Sequence, residues 1–239
     1  MADKTSTFTE DAGGTAPWIV VPAFNESSRI AKTLRGLLSC GRYSIVVVDD
    51  GSRDETVDVV SRFPVWLLKH SVNCGQGAAL RTGIEFALLK GAQSIVTFDA
   101  DDQHDPADVE ALIAPLRDAA VDVVLGSRFL GHTSGMPTSR RVLLKAATFI
   151  TRWTTGLQLT DVHNGLRAFS RRAAQTISIR QPRMAHASEI LDQVARHRLS
   201  YVEIPVTVRY TDSTLEKGQS SFDAARIGGD LVLGRFIKS

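Results

Sequence analysis

Five short apolar runs recur through the first half of the chain: WIVVP (18–22), SIVVVDD (44–50), PVWLLKH (64–70), SIVTFDA (94–100) and VDVVLG (121–126). Their apolar residues are nearly continuous rather than alternating, which requires strands covered on both faces. Between them, Ile30, Leu34, Leu37 and Leu38 follow helical spacing, and so do Leu80, Ile84, Ala87 and Leu88. Such alternation predicts an α/β fold, a doubly wound and mostly parallel sheet flanked by helices. With 239 residues, 43% of them hydrophobic, the chain can build one such domain around a sizeable core.

Helix starts are marked as well. SRDE (52–55) fits a capping box, and DPAD (105–108) offers Asp105 as N-cap with Pro106 at the first helical position and Asp108 in the first turn, where the helix dipole favours a negative charge. After Gly126 a basic, loop-rich stretch, GSRFLGHTSGMPTSRR, precedes a helix expected from about Val142 to Thr155. GLRAFS, a helix around Ser188 to His197 and the strand SYVEIPVTVRY follow, and a last helix is expected from Asp223 to Ile237. No repeat and no Pro-, Gly- or Ser-rich linker divides the chain, so residues 17–221 read as one domain, preceded by a disordered tail (1–16) and followed by an amphipathic helix (222–239).

Twenty-eight basic against 26 acidic residues leave a net charge of +2, so no global nucleic-acid signature is present. Residues 1–16 lack the apolar core of a signal peptide, and no apolar run reaches the roughly 18 residues that cross a bilayer. Cys40 and Cys74 lie far apart without metal-type spacing, which suits structural thiols in a reducing cytosol.

In parallel α/β sheets, ligands bind where the carboxyl ends of the strands meet their loops. Here those ends are unusually polar: PAFNE (22–26), DDGS (49–52), DADDQ (99–103) and GSR (126–128). Two carboxylates about 5 Å apart repel by roughly 3 kcal/mol at an effective dielectric of about 20, so Asp99, Asp101 and Asp102 together call for a counter-charge. The oxygen donors Asp101 and Gln103, with Asp99 nearby, suit Mg²⁺ or Mn²⁺. His104 has no second His at ligand spacing and is expected at the surface or behind the ligands.

Six motifs, VVPAFNE, VVVDDGSRDET, NCGQGAALRTGI, FDADDQHDP, VLGSRF and TDVHNGLRAFSRRA, resemble in order and spacing the GT-A fold glycosyltransferases of family 2 over about residues 17 to 221. The branch they resemble most is that of the dolichyl-phosphate mannose synthases and bacterial polyprenyl-phosphate glycosyltransferases. The resemblance implies that Pro22, Phe24 and Glu26, with Asp49 or Asp50, hold the base and ribose of a nucleotide-sugar. It implies that Asp99 and Asp101 form the DXD motif, with Asp101 and Gln103 holding the metal on the diphosphate. Arg128 and Arg140 match positions that grip the acceptor phosphate, and arginine's planar fork suits that task. Arg141 and Lys145 lie close by in sequence. Asp161, Asn164, Gly165 and Arg167 match the segment that closes around donor and acceptor, Arg167 serving equally as a structural ion-pair partner. Lys217, in EKGQSS, matches the basic residue of a mobile loop that reaches the donor diphosphate. Gln76 stands where many members carry Lys, and Leu144 where a Ser is common.

The activity implied is inverting transfer of a sugar, with UDP expected as the carrier, to a polyprenyl phosphate at the cytoplasmic membrane face, for cell-surface glycan assembly. The membrane surface and a small separate membrane protein are the implied partners. Two other readings stand beside it: a family 2 enzyme with a sugar-hydroxyl acceptor, for which Glu189 and Asp192 are the candidate bases, and a non-catalytic nucleotide-sugar-binding subunit. Leu80 at the third glycine position of GQGAAL argues against a dinucleotide-binding fingerprint, and no P-loop motif occurs.

Overall fold

A computed structural model describes residues 16–181 and 185–210. The expectations for the tail, for Lys217 and for the last helix lie outside the described residues.

Seven strands form one sheet: β1 (Trp18–Ala23), β2 (Ser44–Asp49), β3 (Trp66–Lys69), β4 (Ser94–Thr97), β5 (Val123–Ser134), β6 (Arg167–Ser170) and β7 (Tyr201–Arg209). Their spatial order is β3-β2-β1-β4-β6-β5-β7. All neighbours are parallel except at β6, which runs antiparallel to β4 and β5. The apolar runs are continuous because each strand feeds two cores. In β1, Trp18 and Val20 join Leu80 and Ile84 of α3 (Gln76–Leu89) and Ile190 of α7 (His186–Arg196) on one face. Ile19 and Val21 join Ile30, Leu34 and Leu37 of α1 (Ile30–Cys40) and Leu112 of α4 (Asp108–Ile113) on the other.

The chain runs outward from β1 through β2 to β3 and then returns to place β4 on the other side of β1. That reversal leaves a crevice at the carboxyl ends of β1 and β4, the topological switch point of a doubly wound sheet. The register aligns its walls: Ala23 pairs with Asp49, and the Phe98 N–H donates to the Val20 carbonyl just beyond β4.

Several elements differ from expectation. β4 ends at Thr97: after the Phe98 N–H, which still donates to the Val20 carbonyl, Asp99 and Ala100 leave the ladder at the mouth of the crevice. The stretch expected to be loop-rich is largely strand: β5 continues to Ser134 and pairs with β7 across an irregularity between Ser127 and His132. The following helix, α5 (Thr138–Thr155), begins a turn early behind Pro137 and so carries Arg140 and Arg141. No capping box forms at SRDE. The Ser52 hydroxyl instead accepts from the Asn25 N–H, and Asp54 accepts from Thr56 ahead of α2 (Thr56–Val60). Asp105 does accept from the Ala107 N–H, but regular helix starts only at Asp108. The short α6 (Arg171–Thr176) is capped by Ser170.

Candidate active site

The crevice encloses about 380 Å³, and its lining includes Pro22 near the end of β1, Phe24 and Glu26 just after it, Asp50 after β2, and Asp99, Asp101 and Gln103 after β4. Arg128 and Arg140 line the same space. The fold therefore brings acidic strand ends and three arginines, Arg29 (paired with Glu26), Arg128 and Arg140, to one space.

Asp99 is held from two sides. Gln76, the first residue of α3, donates from Nε2 to Oδ1 at 2.8 Å, and His104 Nε2 lies 3.3 Å from Oδ2. Gly165 faces the same carboxylate so closely that a Cβ there would sit 2.3 Å from Oδ2. Burial alone would raise the pKa of Asp99. The His104 hydrogen bond, with attraction from His104, His186 and Arg128, outweighs it and keeps the carboxyl below its ordinary range. Asp101 is pushed the other way, upward, by burial and by the charge of Asp99. Gln103 is folded onto it, with Nε2 donating to Oδ2 at 2.5 Å and the backbone N–H to Oδ1 at 3.1 Å. An oxygen-donor pair with partly uncompensated negative charge fits a hard divalent cation.

The neighbouring carboxylates have other duties. Asp102 sits at φ +62° and pairs with Lys32 of α1 at 2.6 Å. Asp105 pairs with Arg209, and Asp108 accepts from the Thr207 N–H at 2.6 Å, so both pin β7 to the start of α4. His104 is buried behind Asp99, with its ring edge-on to Phe98.

Asp50 shapes the base of the crevice. It accepts from the backbone N–H groups of Cys74 and Gly75 at 2.9 and 2.6 Å and lies 2.7 Å from His70 Nδ1. Asp49 faces an adjoining hollow, with its Oδ2 accepting from the Ser52 N–H while Oδ1 is enclosed without a hydrogen-bond partner among the described residues. Phe24, 42% exposed, borders both spaces and offers a flat apolar surface. Cys40 and Cys74 are exposed rather than packed as structural thiols. Asp50, His70 and Cys74 bring ligand-type atoms within 4.8 Å of one another, but both imidazole nitrogens are already engaged, by Asp50 and by Thr82.

On the basic side, Arg128 is only 6% exposed. Its Nε donates to Asp161 Oδ2 at 2.6 Å, and its terminal nitrogens donate to the Tyr210 hydroxyl and to the His163 carbonyl. Arg140 stacks its guanidinium 5.0 Å from the Tyr210 ring centre, so Tyr210 joins the two arginines. Arg167 is buried and donates to three backbone carbonyls, those of Asn164, Ala187 and Val162. Burial lowers its pKa to about 10, which leaves it charged. Asn164 accepts from the Leu166 N–H, which tightens the turn beneath Gly165. Neither proposed base for a hydroxyl acceptor lines the crevice: Glu189 accepts from the backbone N–H groups of Arg180 and Gln181, and Asp192 pairs with Arg196 along α7.

Three residues central to this geometry were not singled out from the sequence for their positions here: Gln76, His163 and Tyr210. Only Gln76 carried a signal, as a departure from the Lys common in the family it resembles.

A family model for glycosyl transferase family 2 matches residues 18–178. The chain belongs to glycosyl transferase family 2. Among family relatives, the UDP-N-acetylglucosamine–dolichyl-phosphate N-acetylglucosaminyltransferase of Methanococcus voltae is 32% identical over 222 residues, covering 84% of this chain and 88% of the relative. The undecaprenyl-phosphate mannosyltransferase of Micrococcus luteus is 30% identical over 224 residues, covering 89% and 90%. The glucosyl-3-phosphoglycerate synthase of Mycobacterium tuberculosis, solved with Mn²⁺, UDP and glucosyl-3-phosphoglycerate, superposes with a TM-score of 0.66 at 18% identity over 89% of this chain and 78% of that one. This family 2 chain thus has the GT-A architecture, with its crevice at the switch point.

Proposed function

We propose that the protein transfers a sugar from a nucleotide-sugar to a polyprenyl phosphate, with inversion at the anomeric carbon. The observation that carries this reading is that one crevice is lined by the paired carboxylates after β4 and by Arg128 and Arg140. It is supported by the two relatives above, which differ in sugar but are both named for a polyprenyl-phosphate acceptor.

On the donor side, Pro22, Phe24 and Glu26 with Asp49 or Asp50 receive the base and ribose, and Asp101 and Gln103, beside Asp99, are the residues that would hold Mg²⁺ or Mn²⁺. When bound, the cation supplies positive charge against the diphosphate. Asn164 and Arg167 belong to the turn that closes the sugar site, and Lys217 is proposed to approach the diphosphate. On the acceptor side, Arg140 is the more available arginine for the phosphate, while Arg128 holds the wall through Asp161 and Tyr210.

An oxygen of the acceptor phosphate forms the new bond to the anomeric carbon. The bond from that carbon to the nucleoside diphosphate breaks, and its electron pair leaves with the diphosphate oxygen. A phosphate monoester has its second pKa near about 6, so at neutral pH the attacking oxygen is already anionic and no protein base is required. That accords with a crevice in which Glu189 and Asp192 take no part.

The proposed setting is the cytoplasmic face of the membrane, with UDP as the carrier and a small membrane protein as partner. No helix among the described residues is long and apolar enough to cross a bilayer. The test is a panel of UDP-glucose, UDP-GlcNAc, UDP-galactose and GDP-mannose against undecaprenyl phosphate with Mn²⁺ or Mg²⁺, read by product mass. A glycosyl-phosphoryl-undecaprenol mass supports the proposal. Transfer to a sugar hydroxyl with none to the lipid phosphate refutes it.

A further inference from the structure

Helix α5 is an 18-residue helix whose two sides differ sharply. Thr148 and Thr151 are buried against the protein, and Leu144 is half-buried on the same side. On the opposite side Val142, Phe149 and Trp153 are 64%, 73% and 78% exposed, three of the most exposed large apolar side chains among the described residues. At about 100° per residue, these three fall within about 20° of a single line along the helix. Arg141, Lys145 and Arg152, all exposed, form one flank of that line. The helix contains no acidic residue.

A contiguous apolar stripe beside a basic flank is unusual on a surface that meets only water. It has the composition of a helix lying in a lipid interface, where aromatic and aliphatic side chains enter the acyl boundary and basic groups meet anionic headgroups. Uniform positive charge favours an anionic bilayer over a protein partner, since nothing acidic on the helix would set a register. The same helix carries Arg140 near its start, on the side turned to the crevice. From stripe to crevice is about one helix diameter, roughly 10 Å, which is short against a polyprenyl chain.

We propose that the outward face of α5 is the surface by which this protein lies on an anionic phospholipid bilayer, an inference that rests on the polyprenyl-phosphate reading for its purpose. Docking there would bring the phosphate end of a membrane-embedded acceptor to Arg140.

The experiment is flotation of the full chain with phosphatidylcholine vesicles, with and without phosphatidylglycerol, comparing wild type with Phe149→Ser/Trp153→Ser. Quenching of Trp153 by brominated lipid is read in parallel. The wild type should float with the anionic vesicles, less at high salt, and its Trp153 should be quenched. The double variant should partition at least about tenfold less, with an unchanged urea midpoint because both side chains are exposed. Lys145→Glu/Arg152→Glu should lose the preference for anionic lipid. Equal flotation of wild type and Phe149→Ser/Trp153→Ser overturns the proposal. So does a wild type that does not float, or one that floats without quenching of Trp153, which would assign the contact to residues 211–239. A wild-type dimer dissolved by the substitutions, without vesicle binding, would assign the face to a second copy. Transfer to a short, water-soluble prenyl phosphate separates this from the functional reading. The double variant should keep that activity while losing transfer to vesicle-embedded lipid. If the wild type shows no transfer to any prenyl phosphate, the functional reading fails, and flotation alone decides the surface.

Discussion

Replacing Arg128 with Ala should damage the fold before it tells anything about substrate. The guanidinium is 6% exposed and its partner carboxylate on Asp161 is 1% exposed, with Nε and Oδ2 2.6 Å apart. At that separation and an effective dielectric of about 20, the attraction is about 6 kcal/mol, most of it offset by the desolvation of both groups. Removing one partner forfeits the attraction and leaves the other charge buried, at a cost of about 3 to 5 kcal/mol. Tyr210 and the His163 carbonyl lose their donor as well. With an m-value near about 2 kcal/mol/M, the urea midpoint should fall by about 2 M. Asp161 also accepts from the backbone N–H groups of Arg128 and His163. The paired variant Arg128→Met/Asp161→Asn removes both charges and keeps an acceptor for one of those two groups, which use different carboxylate oxygens, and should recover part of the loss. The assay is equilibrium unfolding followed by tryptophan fluorescence, with transfer rates measured on the same samples. An Arg128→Ala protein that unfolds at the wild-type midpoint refutes the reasoning, because the arginine would then owe nothing to Asp161. If the paired variant regains stability without regaining transfer, Arg128 serves the reaction beyond its structural duty.

Other consequences can be measured with the same tools. Asp101→Asn should lower transfer by about 100-fold or more and abolish Mn²⁺ binding measured by electron paramagnetic resonance. Because burial and Asp99 raise the pKa of Asp101, its ionised form opposes folding above that pKa. The metal-free variant should therefore be more stable than wild type at neutral pH, an advantage that vanishes as the pH falls and Asp101 takes up its proton. Mn²⁺ at about 100 times its dissociation constant should reverse the order by stabilising wild type alone by about 2.7 kcal/mol. His163 has its pKa lowered from 6.5 to about 4, chiefly by burial and then by Arg167. The unfolded chain therefore gains a proton that the native state refuses, and stability is lost as the pH falls from about 6.5 towards 4, by about 3 kcal/mol in all. His163→Asn should flatten that part of the stability profile, and an unchanged acid limb would contradict the assignment. Gly165→Ala should push the Asp99 carboxylate aside and lower kcat by about 100-fold with little change in the urea midpoint. Retention of wild-type kcat would show that the carboxylate can move without consequence.

Local patterns carried much of the architecture. Continuous apolar runs require two covered faces, and β1 does feed both cores. Polar residues directly after such strands mark the crevice, so Glu26, Asp50, Asp99 and Asp101 were legible as one cluster. The capping pattern at Asp105 predicted its hydrogen bond to Ala107, whereas SRDE misled, because the Asn25 N–H competes for the Ser52 hydroxyl from 27 residues away. The extension of β5 was hidden for a similar reason: a polar, glycine-bearing stretch becomes strand only because β7 supplies a partner.

The sequence alone determined the layered sheet, the ends of the strands that meet ligand and the oxygen-donor character of the site, because those follow from residue type and short-range spacing. Tertiary structure decided how the charges are shared. Lys32 takes Asp102, Arg209 takes Asp105, and Asp161 takes Arg128, across 70, 104 and 33 residues of chain. Among the described residues the Asp99–Asp101 pair has no Lys or Arg in a salt bridge, and His104 is the partner of Asp99, with one carboxyl held low and its neighbour pushed up. Charge compensation acts over a few ångströms of space, whatever the separation along the chain, so only the folded arrangement distinguishes the carboxylates that build the molecule from those it leaves for a ligand.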